Sequence, residues 1–376
     1  MTTGLQMFST IAKDGTLELA LSDVEVPAPG EGQVVIRMEA APINPSDMGP
    51  MFGPADIRDA KAGKKDGHVS LVAQVPEKRL GMVKSRLDQS MPVGNEGAGT
   101  VIAAGSDAAS QALMGKVVSG ISGASYAQYV VTAAAACLVH NAGTTAKEAA
   151  SSFVNPLTAL GMVETMKLEG HKALVHTAAA SNLGQMLNKI CLADGVDLVN
   201  VVRKSEQAEI LKALGAKYIC DSSKETFIGD LTNALAETGA TIAFDATGGG
   251  RLANDILTCM ERAASRDASG LNTYGSSTMK QVYIYGGLDL SPTTLDRGYG
   301  MSWGVGGWLL PLFLGRVGLE KAAELQKRVA DEIKTTFASA YTAELSLEEA
   351  LAPANVKAYV AKKTGEKYLI NPAKGH

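Results

Sequence analysis

The sequence has no hydrophobic run long enough to cross a bilayer. The longest, Trp303 to Val317, is interrupted by glycines, Pro311 and Arg316. The opening MTTGLQMFSTIAKDGTLEL lacks a charged stretch followed by an apolar one, so no secretory signal is read and a cytoplasmic protein is expected. Cysteine is scarce: Cys137, Cys191, Cys220 and Cys259 lie 54, 29 and 39 positions apart, a spacing that suits neither a disulfide framework nor zinc-ligand pairs. Each reads as a small core residue. There is also no basic run. With 35 Lys and Arg against 39 Asp and Glu, the net charge of −4 gives no electrostatic reason to expect nucleic acid or a membrane surface.

What is present is the composition of a soluble α/β protein: 46% hydrophobic residues, 20% charged, and 40 glycines spread along the chain. At 376 residues the chain is too long for one ordinary core, and two domains are expected. Residues 1–150 read as mainly β, with VVIRMEA, GAGTVIAAG, KVVSGI and AQYVVTA as short strands set off by Gly, Pro and Ser. One interruption, Pro54 to Gln89, carries eight basic and five acidic residues and reads as a surface excursion with one amphipathic helix.

From about Ser151 the rhythm changes. The apolar runs KALVHT, LVNVV, AKYIC, TIAFDA and QVYIYGG alternate with helices near 183–193, 206–214, 224–237 and 252–263. That alternation predicts a doubly wound parallel sheet over residues 151–309. The tail, 310–376, lacks the rhythm and is assigned back to the first domain.

Between KALVHT and the first of these helices runs AAASNLG. A dinucleotide-binding turn places small residues at G-x-G-x-x-G for a tight turn, for close approach to pyrophosphate and for packing of helix on strand. Here those places hold Ala179, Ser181 and Gly184. Ala180, Ser181, Asn182, Leu183 and Gly184 then open a helix whose free amides attract anions. Nineteen residues after Gly184, where an NAD-binding domain places an acid for the ribose 2′-hydroxyl, stand Arg203 and Lys204. Two cations suit a 2′-phosphate, so NADPH is expected over NADH.

With the turn in place, the chain resembles the medium-chain dehydrogenases/reductases, in their zinc-independent quinone reductase and enoyl-thioester reductase branch. The resemblance rests on motifs in order: APINPSD, PVGNEGAGTVIAAGS, SYAQYV, FVNPLTAL, the AAASNLGQ turn, NVVRKSEQ, LKALGAKYI, FDATGG, VYIYGG, GGWL and KYLINP. It implies a GroES-like distorted β-barrel catalytic domain, completed by the C-terminal tail, beside a Rossmann cofactor domain. It also implies a homodimer paired through the cofactor domain. By the same resemblance Asn44 lies near the nicotinamide and Thr158 helps seat the cofactor. Gly286 and Gly287 lie beside the nicotinamide ribose, Trp308 is a cofactor-binding aromatic near the cleft, and Lys367 is a late basic contact to phosphate.

The three positions at which the family's zinc branch carries catalytic ligands hold Asn44, Asn95 and Asn155, and no cysteine lies between Met51 and Pro92. His68, His140, His171, His176 and His376 lack ligand spacing. Without a Lewis acid, the chemistry implied is hydride delivery from NADPH to the activated C=C bond of an α,β-unsaturated carbonyl, or to a quinone. The tyrosine that enoyl-thioester reductases carry eight residues beyond the aspartate of NPSD falls here on Ala55. Tyr126 and Tyr285 are the remaining candidates for proton donor, with Tyr129 behind them. Two other readings stay open: a zinc-free NADPH-dependent carbonyl or alcohol oxidoreductase, and a non-catalytic NADPH-binding sensor.

Overall fold

The computed structural model describes residues 2–266 and 273–375, so His376 lies outside the described residues. The chain divides into two compact units, one of Met1–Val154 with Gln326–His376, the other of Asn155–Leu325.

In the first unit, alternating residues of the strand pair Thr2–Ile11 and Thr16–Val26 face inward, leaving Met7, Ile11, Leu17, Leu19 and Leu21 without exposure. These two strands belong to a five-stranded sheet in the order Asp56–Lys65, His68–Gln74, Thr16–Val26, Thr2–Ile11, Met91–Pro92. A second sheet of seven strands is built around Gln33–Ile43, which pairs with Glu96–Ala104, Tyr129–Ala133 and the C-terminal Tyr368–Ile370. Among the described residues, ladder hydrogen bonds join these strands into two open sheets, not one closed barrel.

The Pro54 to Gln89 segment departs from its sequence reading. Asp66 and Gly67 both take positive φ, 49° and 87°, the two-residue turn that matches the twist of a hairpin. The flanking strands therefore add two members to the first sheet, and Leu71, Ala73 and Val75 enter its core. The amphipathic helix expected there is instead a kinked 3₁₀ stretch, Glu77–Arg86.

The second unit contains a six-stranded parallel sheet in the order Tyr218–Asp221, Leu198–Val202, Leu174–Thr177, Ile242–Asp245, Lys280–Ile284, Trp303–Gly307. Strands buried on both faces read as continuous apolar runs, as LVNVV does with all five residues buried. The helices Asn182–Asp194, Ser205–Ala213, Phe227–Thr238 and Leu252–Ala264 lie within two residues of their expected starts, except the third, which begins three later. The sixth strand, WGVGG, was not expected: two of its five residues would be apolar in any reading and three are glycine. No helix among the described residues is long and apolar enough to cross a membrane.

Candidate cofactor and catalytic site

Strand order in the second unit reverses at Leu174–Thr177, which has Leu198–Val202 on one side and Ile242–Asp245 on the other. Ligands of open α/β sheets bind beyond the carboxyl ends of the strands at such a reversal. Thr177 ties the two ends there. Its hydroxyl donates to Asp245 Oδ1 at 2.7 Å and accepts from the Ala246 N–H at 2.8 Å. The carboxylate of Asp245 also accepts from the Thr247 and Gly248 amides.

The turn that follows works with a single glycine. Ala178 takes the left-handed backbone, φ 51°, one residue before the first small place of the pattern, and the Ser181 N–H closes the turn on its carbonyl at 3.0 Å. Ser181 is extended at φ −65° and caps the helix Asn182–Asp194, its hydroxyl accepting from the Gly184 N–H at 3.2 Å. A Cβ on Gly184 would stand 2.2 Å from the Ala179 carbonyl oxygen, so the retained glycine is the one that lets helix pack on strand. Ala180 and Leu183 are buried and offer only main chain. Asn182 accepts a hydrogen bond from Asn155 Nδ2 at 2.8 Å, and Thr158 lies buried on the same helix as Asn155.

Arg203 and Lys204 follow the strand Leu198–Val202 directly, and both are exposed. Among the described residues neither side chain pairs with an acid. Asp221, at the carboxyl end of the neighbouring strand, is occupied by Ser223 and Ser205. Gly286 packs tightly, a Cβ there coming within 2.6 Å of the Ala246 carbonyl, whereas Gly287 is exposed. The Trp308 indole N–H donates to Thr165 Oγ1 at 3.0 Å, and its ring packs against Phe244, Phe313 and the bare backbone of Gly161. Trp308 therefore wedges a helix within this unit.

The two tyrosines first in rank as proton donors are both engaged. Tyr126 has no exposure, its ring lies in the core of the first unit, and its hydroxyl donates to the Pro42 carbonyl at 3.1 Å. Burial pushes its ionisation well above the usual tyrosine value. Tyr285 shares a 2.7 Å hydrogen bond with Nε2 of the fully buried His176 and stacks on its ring. Burial drives the Tyr285 hydroxyl up and the His176 imidazole down to about 3, so His176 is neutral.

In the first unit, Asn44 ends the strand Gln33–Ile43 and is 1% exposed. The antiparallel register Tyr368↔Ile43, carried on by one residue, sets Lys367 across from Asn44. Lys367, which the resemblance makes a late basic contact to phosphate, does not lie at the surface. It is buried, and its ammonium donates to Ser151 Oγ at 2.5 Å. Beside it are two carboxylates that the sequence reading passed over. Asp47 accepts from the Asn44 and Asn95 amides, both at 2.8 Å, and burial raises its pKa to about 7. Glu96 accepts from Asn44 Nδ2 at 2.8 Å and from the Phe153 and Val154 amides at 2.8 and 3.0 Å. Both acids stood inside quoted motifs, NPSD and GNEG, but two acids remote in sequence give no signal that they converge. Among the described residues no three His, Cys, Asp or Glu side chains gather as a metal would require.

The profile of a family described as zinc-binding dehydrogenase matches residues 183–286, all within the second unit. The mitochondrial enoyl-[acyl-carrier-protein] reductase of Arabidopsis thaliana is 27% identical over 262 residues, 68% of this chain and 60% of that protein. Prostaglandin reductase-3 of Mus musculus is 26% identical over 229 residues, 60% of this chain and 52% of that one. The chain thus spans between half and two thirds of these relatives' lengths. A solved structure of a candidate NADPH:quinone reductase from Mesorhizobium loti superposes with a TM-score of 0.72 at 26% identity, covering 99% of this chain and all of that one. Two units of this kind, an AAASNLG turn at the strand reversal and Asn at each zinc-ligand place agree with these likenesses: the second unit matches the zinc-binding dehydrogenase family model, and the chain is similar to medium-chain dehydrogenases/reductases named enoyl reductase and quinone reductase.

Proposed function

We propose that the protein is an NADPH-dependent reductase of activated C=C bonds in α,β-unsaturated carbonyls, or of quinones. The observation that carries this reading is the pair Arg203 and Lys204, exposed and, among the described residues, without acidic partners at the end of the second central strand. A nucleotide fits this unit: Gly184 and Gly286 leave the close backbone approaches that a Cβ would fill, and the capped helix start at Ser181 offers main-chain donors to phosphate. Ala180 to Gly184 would hold pyrophosphate, Arg203 and Lys204 the 2′-phosphate, and Thr158, Tyr285, Gly286 and Gly287 the nicotinamide half. Bound NADPH supplies the hydride. The chain's part is to orient, to exclude water and to stabilise the oxygen on which charge develops.

The reading is supported further by the relatives, named enoyl-[acyl-carrier-protein] reductase, prostaglandin reductase-3 and NADPH:quinone reductase. A small molecule is the expected substrate. Pairing of two copies through the second unit is supported by its edge strand Trp303–Gly307, with Leu290, Met301 and Leu312 at 85%, 78% and 73% exposure nearby in sequence.

The test is a screen of enones, enals and quinones for oxidation of NADPH, followed by Arg203→Ala. Loss of that guanidinium is expected to weaken NADPH binding by about 2 kcal/mol and leave NADH nearly untouched. Equal losses for the two coenzymes would remove Arg203 from the 2′-phosphate role.

A further inference from the structure

The strand Leu198–Val202 is buried throughout, and in its middle, among a leucine and three valines, stands an asparagine. Asn200 has no exposure, and Asn188, which meets it from the helix Asn182–Asp194, has 2%. Burying an amide is costly unless its donors and acceptor are paired. Here they are. Asn188 Nδ2 donates to Asn200 Oδ1 at 2.7 Å, and Asn200 Nδ2 donates back to Asn188 Oδ1 at 3.1 Å. Each amide also donates to main chain, Asn188 to the Gly184 carbonyl at 3.0 Å and Asn200 to the Tyr218 carbonyl of the neighbouring strand at 3.2 Å.

Those carbonyls decide how both amides face. Turning one side chain over would set its oxygen against a main-chain oxygen and against the oxygen of its partner. Turning both would restore the pair but leave each oxygen on a carbonyl. One arrangement remains, and it ties the helix to the strand at a single register. Apolar packing between the same two elements is non-directional and would tolerate a slide that a reciprocal, fully satisfied amide pair does not.

The pair sits between the two parts of the nucleotide site. Gly184, one turn before Asn188, belongs to the turn assigned to pyrophosphate, and Arg203 stands three residues beyond Asn200 on the strand's exit. We propose that Asn188 and Asn200 are positioning residues for coenzyme choice: their pair sets the spacing between the helix start and the cations Arg203 and Lys204, so that one nucleotide reaches both. The role in coenzyme choice rests on the NADPH reading; the pairing itself does not.

The test uses Asn188→Leu, Asn200→Leu and the double variant in the full chain. Leucine repeats the branched shape of asparagine without its polar atoms. The double variant therefore exchanges the amide pair for an apolar contact, whereas each single variant leaves one amide buried without its partner. Thermal melts are expected to place the double variant above both single variants. A double variant that loses the sum of the two single losses would show the amides to be independent and overturn the pairing. Binding of NADPH and NADH is then read by quenching of Trp303 and Trp308 fluorescence. In the double variant NADPH affinity falls by about three- to tenfold, a part of the roughly thirtyfold that loss of the whole Arg203 contact represents, and NADH affinity changes by less than about twofold. A NADPH-to-NADH ratio equal to that of the wild type, whether both affinities hold or both fall together, would overturn the positioning role. A wild type that binds the two coenzymes alike would remove the NADPH reading and the coenzyme role with it, while the melts would still decide the pair.

Discussion

Gly184→Ala and Gly229→Ala make the same chemical change in two helices of one unit, and the structure assigns them opposite outcomes. A Cβ on Gly184 would lie 2.2 Å from the Ala179 carbonyl oxygen and 2.6 Å from its carbon, where ordinary contact begins at 3.4 Å. The obstacle is main chain, so the turn or the helix has to move by about an ångström. Overpacking of this kind costs ~1–3 kcal/mol. Better helix propensity returns at most ~1 kcal/mol. The net expectation is a loss of roughly 1–2 kcal/mol, with the start of Asn182–Asp194 displaced and NADPH affinity reduced. At Gly229, exposed in Phe227–Thr238, no atom lies within 4 Å of the added carbon, and alanine should stabilise by ~0.5–1 kcal/mol. Thermal melts of the two variants, with NADPH titrated by quenching of Trp303 and Trp308 fluorescence, compare them directly. A Gly184→Ala protein as stable as the wild type, binding NADPH as tightly, would refute the close-packing argument and with it the identification of this turn.

Two further outcomes follow from buried charge. Asp47, raised from 3.8 to about 7 by burial, binds its proton more tightly folded than unfolded, so it stabilises the protein below about pH 4 and that contribution is lost as pH rises through about 7. At ~1.4 kcal/mol per pH unit the loss is on the order of 4 kcal/mol, and denaturant melts of Asp47→Asn should show a flatter pH dependence over that window. In the second unit, burial raises the Glu261 carboxyl but hydrogen bonds from Lys280, Ser276 and Ser265 outweigh it and hold the pKa at about 2. Lys280→Met should therefore cost about 3–5 kcal/mol near neutral pH by leaving that carboxylate without its buried partner. The deficit should shrink as acid protonates Glu261, and a deficit independent of pH would contradict the pairing.

Periodicity within the sequence was enough for five of the six strands of the second unit's parallel sheet and for the four helices between them. Buried parallel strands announce themselves as runs of four or five apolar residues, and helices that cover one face of a sheet repeat their apolar residues every three or four positions, so KALVHT through QVYIYGG could be placed without tertiary information. The small-residue turn and the cations nineteen residues on were legible for the same reason: both are local in sequence. What sequence could not show was which small residue bears the left-handed turn, since Ala178 has no composition that reveals its φ of 51°. It also misjudged 54–89, where KKDGH hides a two-residue turn between strands too polar on their outer face to read as sheet.

The chemistry of the first unit was decided by tertiary structure alone. Asn44, Glu96, Ser151 and Lys367 are separated by as many as 323 positions, and only the pairing of the last strand against Gln33–Ile43 brings the lysine to the asparagine. Sequence fixes the side chains' identities and the local periodicity that folds them. Whether a lysine is a solvated cation or a buried hydrogen-bond donor, and whether a tyrosine is an acid or a piece of core, depends on desolvation, which is a property of everything packed around it.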